Sequence, residues 1–147
     1  MRTIRFRGKV KYNGNHLFAG DWVFGSLIIK PSGTFIYVVE EDEFGNIVRE
    51  FETEVIPETV GQFTGLTDKN GTEIFEGAIL KISWLTPSTG GYFQSDDAWC
   101  ENEVIVSVGF MGDRFVYIKK DGKQTSIRNG SSIEIIGNIH DNPDLLK

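Results

Sequence analysis

Two histidines and one cysteine are the imidazole and thiolate groups of this 147-residue chain. His16, Cys100 and His140 stand far apart and show none of the close spacing that a tetrahedral zinc site needs. Asp68-Lys69-Asn70-Gly71 has the look of an opening calcium loop. An EF-hand, however, places its glycine at about loop position six and a glutamate at about twelve, and here the turn closes at once. A nucleophile–base pair would have to join Cys100 or a serine to a histidine. His16 sits in a Gly/Asn turn and His140 just before the terminal cap, so both are expected to be exposed, and nothing marks an oxyanion hole or an activated thiolate. Neither G-x-x-x-x-G-K-[ST] nor G-x-G-x-x-G occurs. The 21 acidic residues leave a paired-carboxylate site open on inventory alone. The expectation is a binding protein, not an enzyme, with no metal or cofactor.

Binding chemistry is concentrated in charge. Arg2, Arg5, Arg7, Lys9 and Lys11 make the first strand basic, and a basic strand can neutralise several phosphates. Single-strand binders set aromatic rings in the same groove as their cations. Phe6 and Tyr12 alternate onto the face opposite Arg5, Arg7 and Lys9 and read as core. Trp84 also reads as core. Trp99 falls in an irregular stretch, 86–100, and is the candidate partner contact if exposed, with burial as the competing reading. Eight acidic residues between Glu40 and Glu58, offset by Arg49, make a second patch. They read as a solvated sheet face paired across strands, or as a patch complementary to the basic strand between subunits. The net charge of −6 argues against general affinity for nucleic acid or anionic membranes.

The elements that hold these groups are strands. Ile4, Phe6, Val10 and Tyr12 alternate with cations, the period-two pattern of a half-buried strand. Trp22–Lys30, Thr34–Glu40 and Ile47–Val55 follow, separated by Gly- and Asn-containing turns. Pro57-Glu58 marks a subdomain boundary, giving 1–58 and 59–147, since proline cannot donate to a ladder. Asn70-Gly71 predicts a hairpin, because both residues tolerate positive φ. Glu76-Gly77 turns the chain into Ala78–Trp84, where Ala78, Leu80, Ile82 and Trp84 share a face. Glu103–Val108, Arg114–Lys119 and a strand through Ile133, Ile135 and Ile139 complete the set. Asn142 is placed to cap a closing helical turn with Pro143 in its first position. Hairpin, glycine turn and alternating strand are the parts of a small SH3-like barrel. The fold predicted is mainly β, an N-terminal strand-rich subdomain packed on a C-terminal SH3-like β-barrel. The 39% hydrophobic content suits a folded core, and no apolar run reaches the ~20 residues of a bilayer span. No secretory signal follows the basic N-terminus, and a lone cysteine fits a reducing compartment.

The stretch from Val60 to Ile82, with Gln62-Phe63-Thr64-Gly65-Leu66-Thr67-Asp68-Lys69-Asn70-Gly71 at its heart, resembles the signature of the YopX-type family of phage and prophage proteins. Glu134-Ile135-Ile136-Gly137-Asn138-Ile139-His140-Asp141-Asn142-Pro143 is similar to that family's usual close. Ala78 stands where the family usually has Asp. The resemblance implies a phage or prophage origin in a bacterial cytoplasm and brings no known biochemical role. The function expected is a non-enzymatic accessory module that self-associates and binds a host or phage protein. The alternatives are a nucleic-acid-associated factor using the basic strand, and an acidic decoy of a host DNA-binding protein.

Overall fold

The computed structural model describes residues 3–87 and 99–147, so Arg2 and the interior of the 86–100 segment lie outside the described residues. The chain divides into two compact units, Met1–Gly65 and Leu66–Lys147. Pro57–Thr59 forms a short 3-10 turn inside the first of them.

In the first unit, β1 (Phe6–Lys9), β2 (Trp22–Lys30), β3 (Gly33–Glu41), β4 (Ile47–Glu54) and β5 (Gly61–Thr67) form antiparallel ladders. The sheet order is β4-β3-β2-β1-β5, and the hairpin that follows returns as β6 (Glu73–Phe75), which belongs to the second unit. Alternation sends Val10, Val23, Ile36 and Val55 to one face, where Phe6, Leu17, Val38 and Val60 pack on them. The sheet curls until Val10 bridges Val55, and the Ile56 N–H donates to the Lys9 carbonyl at 2.9 Å. Gly8 makes this approach possible, because a Cβ there would stand 3.1 Å from Val55 Cβ. Gly25 is more tightly constrained: a Cβ would lie 1.9 Å from the Tyr37 carbonyl oxygen. Contrary to the alternation pattern, Tyr12 does not enter the core. β1 ends at Lys9, and Tyr12 is 62% exposed in the following turn.

The second unit is a five-stranded antiparallel sheet in the order β10-β9-β8-β7-β11. Its strands are β7 (Ala78–Pro87), β8 (Trp99–Met111), β9 (Arg114–Lys119), β10 (Gln124–Thr125) and β11 (Ser132–Asn138). Ala78, Leu80, Ile82, Val106 and Val108 build the core with Ile74, and Trp84 packs at its margin. Ile79, on the opposite face of β7, is fully buried as well, so this strand is enclosed on both sides in its first half. Ala78 is therefore a core residue.

Two expectations are corrected here. No sheet closes into an SH3-like barrel. β10 is two residues long and pairs with β9, while the far side of β11 is already occupied by the turn at Asp68. The Lys69 N–H donates to the Ile133 carbonyl at 2.8 Å, and the Ile135 N–H donates to Asp68 Oδ2 at 3.2 Å. The turn itself also differs from the predicted Asn-Gly type. Gly71 has a φ of +80°, but Asn70 is not among the positive-φ residues. Asp68 governs the geometry instead, its Oδ1 accepting from the N–H groups of Asn70 and Thr72 at 2.9 Å each. The ends of the stretch read as irregular are ladder too, with Thr86 opposite Cys100 and Pro87 opposite Trp99.

Burial pushes the Asp68 carboxyl up, but hydrogen bonds from the Thr72, Ile135 and Asn70 N–H groups, with Lys69 nearby, outweigh it and hold the pKa below the usual carboxylate value. A lowered folded-state pKa adds stability above the unfolded value, and that contribution is lost as pH falls through the folded one. Asp68→Ala is expected to cost on the order of 3 kcal/mol in urea unfolding, and Asp68→Asn less, because it keeps an acceptor oxygen. The wild type should lose stability below about pH 4 more steeply than Asp68→Asn. Gly25→Ala should cost about 3 kcal/mol or more by the same assay, since the obstructing atom is backbone.

Candidate functional site

The basic strand was read from the sequence as a phosphate-binding candidate without aromatic support. Its neighbour supplies the rings. Register sets Arg7 opposite Phe24 and Lys9 opposite Trp22, so these side chains share one face. Arg7 lies 4.5 Å and Lys9 5.5 Å from the Trp22 ring, and Arg5 lies 5.9 Å from Phe24. The signal was present as Trp22 and Phe24 at alternate positions of β2. It is found only when two strands are considered together. Arg5, Arg7 and Lys9 are nevertheless all half-buried, and Arg7 Nε and Nη2 are enclosed. A guanidinium held in this way packs on the ring, with two of its nitrogens turned away from solvent.

The acidic segment is in part paired across the sheet. Lys11 meets Glu54 at 2.9 Å, Lys30 forms an ion pair with Glu52, and Tyr37 hydrogen-bonds Glu50. That hydrogen bond is the first cause of a raised Tyr37 pKa. Ile47 and Val48 at the start of β4 are 59% and 63% exposed, and Phe44 in the preceding turn is 81% exposed.

Trp99 opens β8 and is 58% exposed, with Cys100 exposed beside it. His16 is exposed at a φ of +61° in a turn. His140, expected on the surface, is half-buried: Asn138 Oδ1 accepts its N–H at 3.0 Å and folds the chain back. Among the described residues no group of three or more His, Cys, Asp or Glu side chains is placed to hold a metal ion. No helix among them is long and apolar enough to cross a membrane.

A groove not singled out in the sequence lies beside the outer half of β7. Its cavity is about 570 Å³, with Trp84, Leu85, Thr86, Glu101, Arg128 and Asn129 among its lining. Arg128 lies 5.4 Å from the Trp84 ring. Trp84 was read as core from its alternation, and one side of it does pack there. Arg128 gave no sequence signal, because it belongs to a turn and no strand pattern marks it.

The YopX protein family profile matches residues 5–147. The chain belongs to the YopX family. The crystal structure of protein EF1440 from Enterococcus faecalis shares its fold, with a TM-score of 0.51, 21% identity and the whole of both chains covered. No curated protein sequence matches the chain. The two stretches that carry the YopX resemblance turn out to be bonded to each other. Besides the Lys69–Ile133 and Ile135–Asp68 contacts, the Ile139 N–H donates to the Gly77 carbonyl at 2.9 Å. Gly77 takes a φ of +89° and donates its own N–H to the Val108 carbonyl at 2.7 Å. Gly137 leaves room for Asn142, whose Oδ1 would lie 2.6 Å from a Cβ there. Asn142 does precede the closing 3-10 turn, with Pro143 at its start, but its side chain makes no cap bond. It accepts from the Asn138 N–H instead. In this YopX chain the signature residues act on the fold.

The triple variant Arg5→Gln, Arg7→Gln, Lys9→Gln separates packing from phosphate binding. Packing predicts a loss on the order of 2 kcal/mol in urea unfolding and no salt-dependent capture of a labelled DNA or RNA by the wild type. A nucleic-acid site predicts wild-type binding that weakens with salt and disappears in a variant of unchanged stability.

Proposed function

We propose that this YopX protein is a non-enzymatic accessory module that acts by strand-edge pairing, with the open edge of β4 as its docking surface. The observation that carries this reading is β4 itself, eight residues at the end of its sheet with exposed Ile47 and Val48. Its Glu54 end is taken by the segment after β1, where the Lys11 N–H donates to the Glu54 carbonyl at 2.9 Å. Among the described residues no strand covers the edge from Ile47 to Thr53, and an edge of that length is a template for another strand.

Self-association and capture of a second protein compete for this edge, and charge favours the second. A two-fold pairing of β4 with its copy, centred on Phe51 and continuing one sheet, sets Glu50 opposite Glu52 twice. Like charges directly opposite destabilise a ladder. A strand with Lys or Arg at alternate positions turns the same contacts into attractions. The partner proposed is a basic strand of a host or phage protein, in the bacterial cytoplasm that the family resemblance implies. Self-association through β4 becomes competitive where salt or acid weakens the repulsion.

A labelled peptide alternating Lys and Val, titrated against the protein while light scattering follows its mass, tests this reading. The expected result is binding that weakens with salt and falls at least about tenfold in the triple variant Glu50→Gln, Glu52→Gln, Glu54→Gln. That variant should also self-associate more readily than the wild type. Equal binding by wild type and variant would remove β4 as the site.

A further inference from the structure

The second unit contains an incomplete ladder. β11 begins at Ser132, opposite Ser83, while β7 continues through Trp84, Leu85, Thr86 and Pro87 against β8. Among the described residues no strand covers the other side of those four. Instead of extending β11 backwards along them, the chain turns away. The Ser131 N–H donates to the Arg128 carbonyl at 3.1 Å, and Gly130 adopts a φ of +83°. The result is the groove of about 570 Å³, floored by the open edge and stopped at one end by the 128–132 turn.

We infer that this groove binds the C-terminal residues of an extended peptide, which adds as a short antiparallel strand to the outer edge of β7 with its carboxylate at Arg128. Three observations lead there. The four uncovered residues span roughly 13 Å, the length of a tetrapeptide strand. The 128–132 turn blocks the line of β11, so a strand laid antiparallel to β7 has to end beside Trp84. The guanidinium of Arg128 lies over the Trp84 ring at that end, where it meets a carboxylate and would repel an N-terminal ammonium. Ser131 Oγ is enclosed without a hydrogen-bond partner among the described residues, beside a small cavity of about 60 Å³ also lined by Trp84 and Arg128. Leu85, 63% exposed, offers the apolar contact for a side chain upstream of the carboxylate. Main-chain pairing with a strand edge gives affinity, while the side-chain pockets give selectivity.

The site is independent of the β4 edge and its test is separate. A display library of random heptapeptides with free C-termini serves as the probe. The recovered peptide is then made as the free acid and as the amide. Amidation of the peptide and Arg128→Gln should each weaken binding at least about tenfold, and Arg128→Lys less. Amide shifts in the wild-type NMR spectrum should concentrate at Trp84–Thr86 and 128–132. Light scattering and the response to the Lys–Val peptide should stay unchanged in Arg128→Gln. Recovery of no peptide, equal binding of acid and amide, or shifts centred on another edge would each overturn the inference. The comparison of acid with amide uses the wild type, so the outcome does not depend on how well a variant folds.

Discussion

One buried carboxylate holds the second unit in its open form. Asp68 accepts two N–H groups within its own turn and a third from Ile135 on β11. The local bonds shape the turn. The distant one joins that turn to the edge of the sheet. Burying a charge is costly unless it is fully hydrogen-bonded, and here three donors from the backbone meet the cost. The consequence is topological. With its outer side committed to the turn, β11 cannot pair with β10, and a five-stranded sheet that could have rolled into a barrel stays open. The Gly77 contacts on both flanks extend the same clasp to the end of the chain.

The first unit solves a different problem with backbone space. Its core is four fully or nearly fully buried side chains on one sheet face, which is little for a unit of this size. Curling the sheet brings Val10 to Val55 and encloses that core from both ends. Gly8 and Gly25 supply the room, one against a side chain and the other against a carbonyl. On the outer face, cations of β1 lie over rings of β2. A basic strand is thereby converted from a polyelectrolyte surface into packed structure.

These differences explain what could be read from the sequence. A strand with clean alternation, such as the one through Val104, Val106 and Val108, was legible because period two is a property of one segment. The Asp68 turn was legible as a turn, but its link to the edge of β11 was not, since that bond runs to Ile135, 67 residues away. The SH3-like closure failed for the same reason: the longer strands were read, the two-residue β10 and the start of β8 were missed, and the occupied edge was invisible. Cation–aromatic pairing between β1 and β2 needed the register. The groove needed more still, because among the described residues no strand lies opposite Trp84–Pro87 on the β11 side. A sequence shows the residues that form a ladder, and it does not show where a ladder stops short of its neighbour.

Where sheets stay open, each edge must be managed, and the means differ along this chain. β11 is covered by a turn. β10 is two residues long and β6 three, too short to template a partner. β4 is bonded at its Glu54 end by the Lys11 N–H and carries three glutamates, which set like charges against a second copy of the same strand. Among the described residues no strand covers the outer half of β7, and it carries no glutamate of its own. It has an exposed leucine, a tryptophan and an arginine from across the groove. An edge left in that state would ordinarily be an aggregation site. The 128–132 turn limits it to a pairing of about four residues and sets a positive charge at its end. Those two constraints exclude an extended edge-to-edge contact and admit a short strand that terminates in a carboxylate.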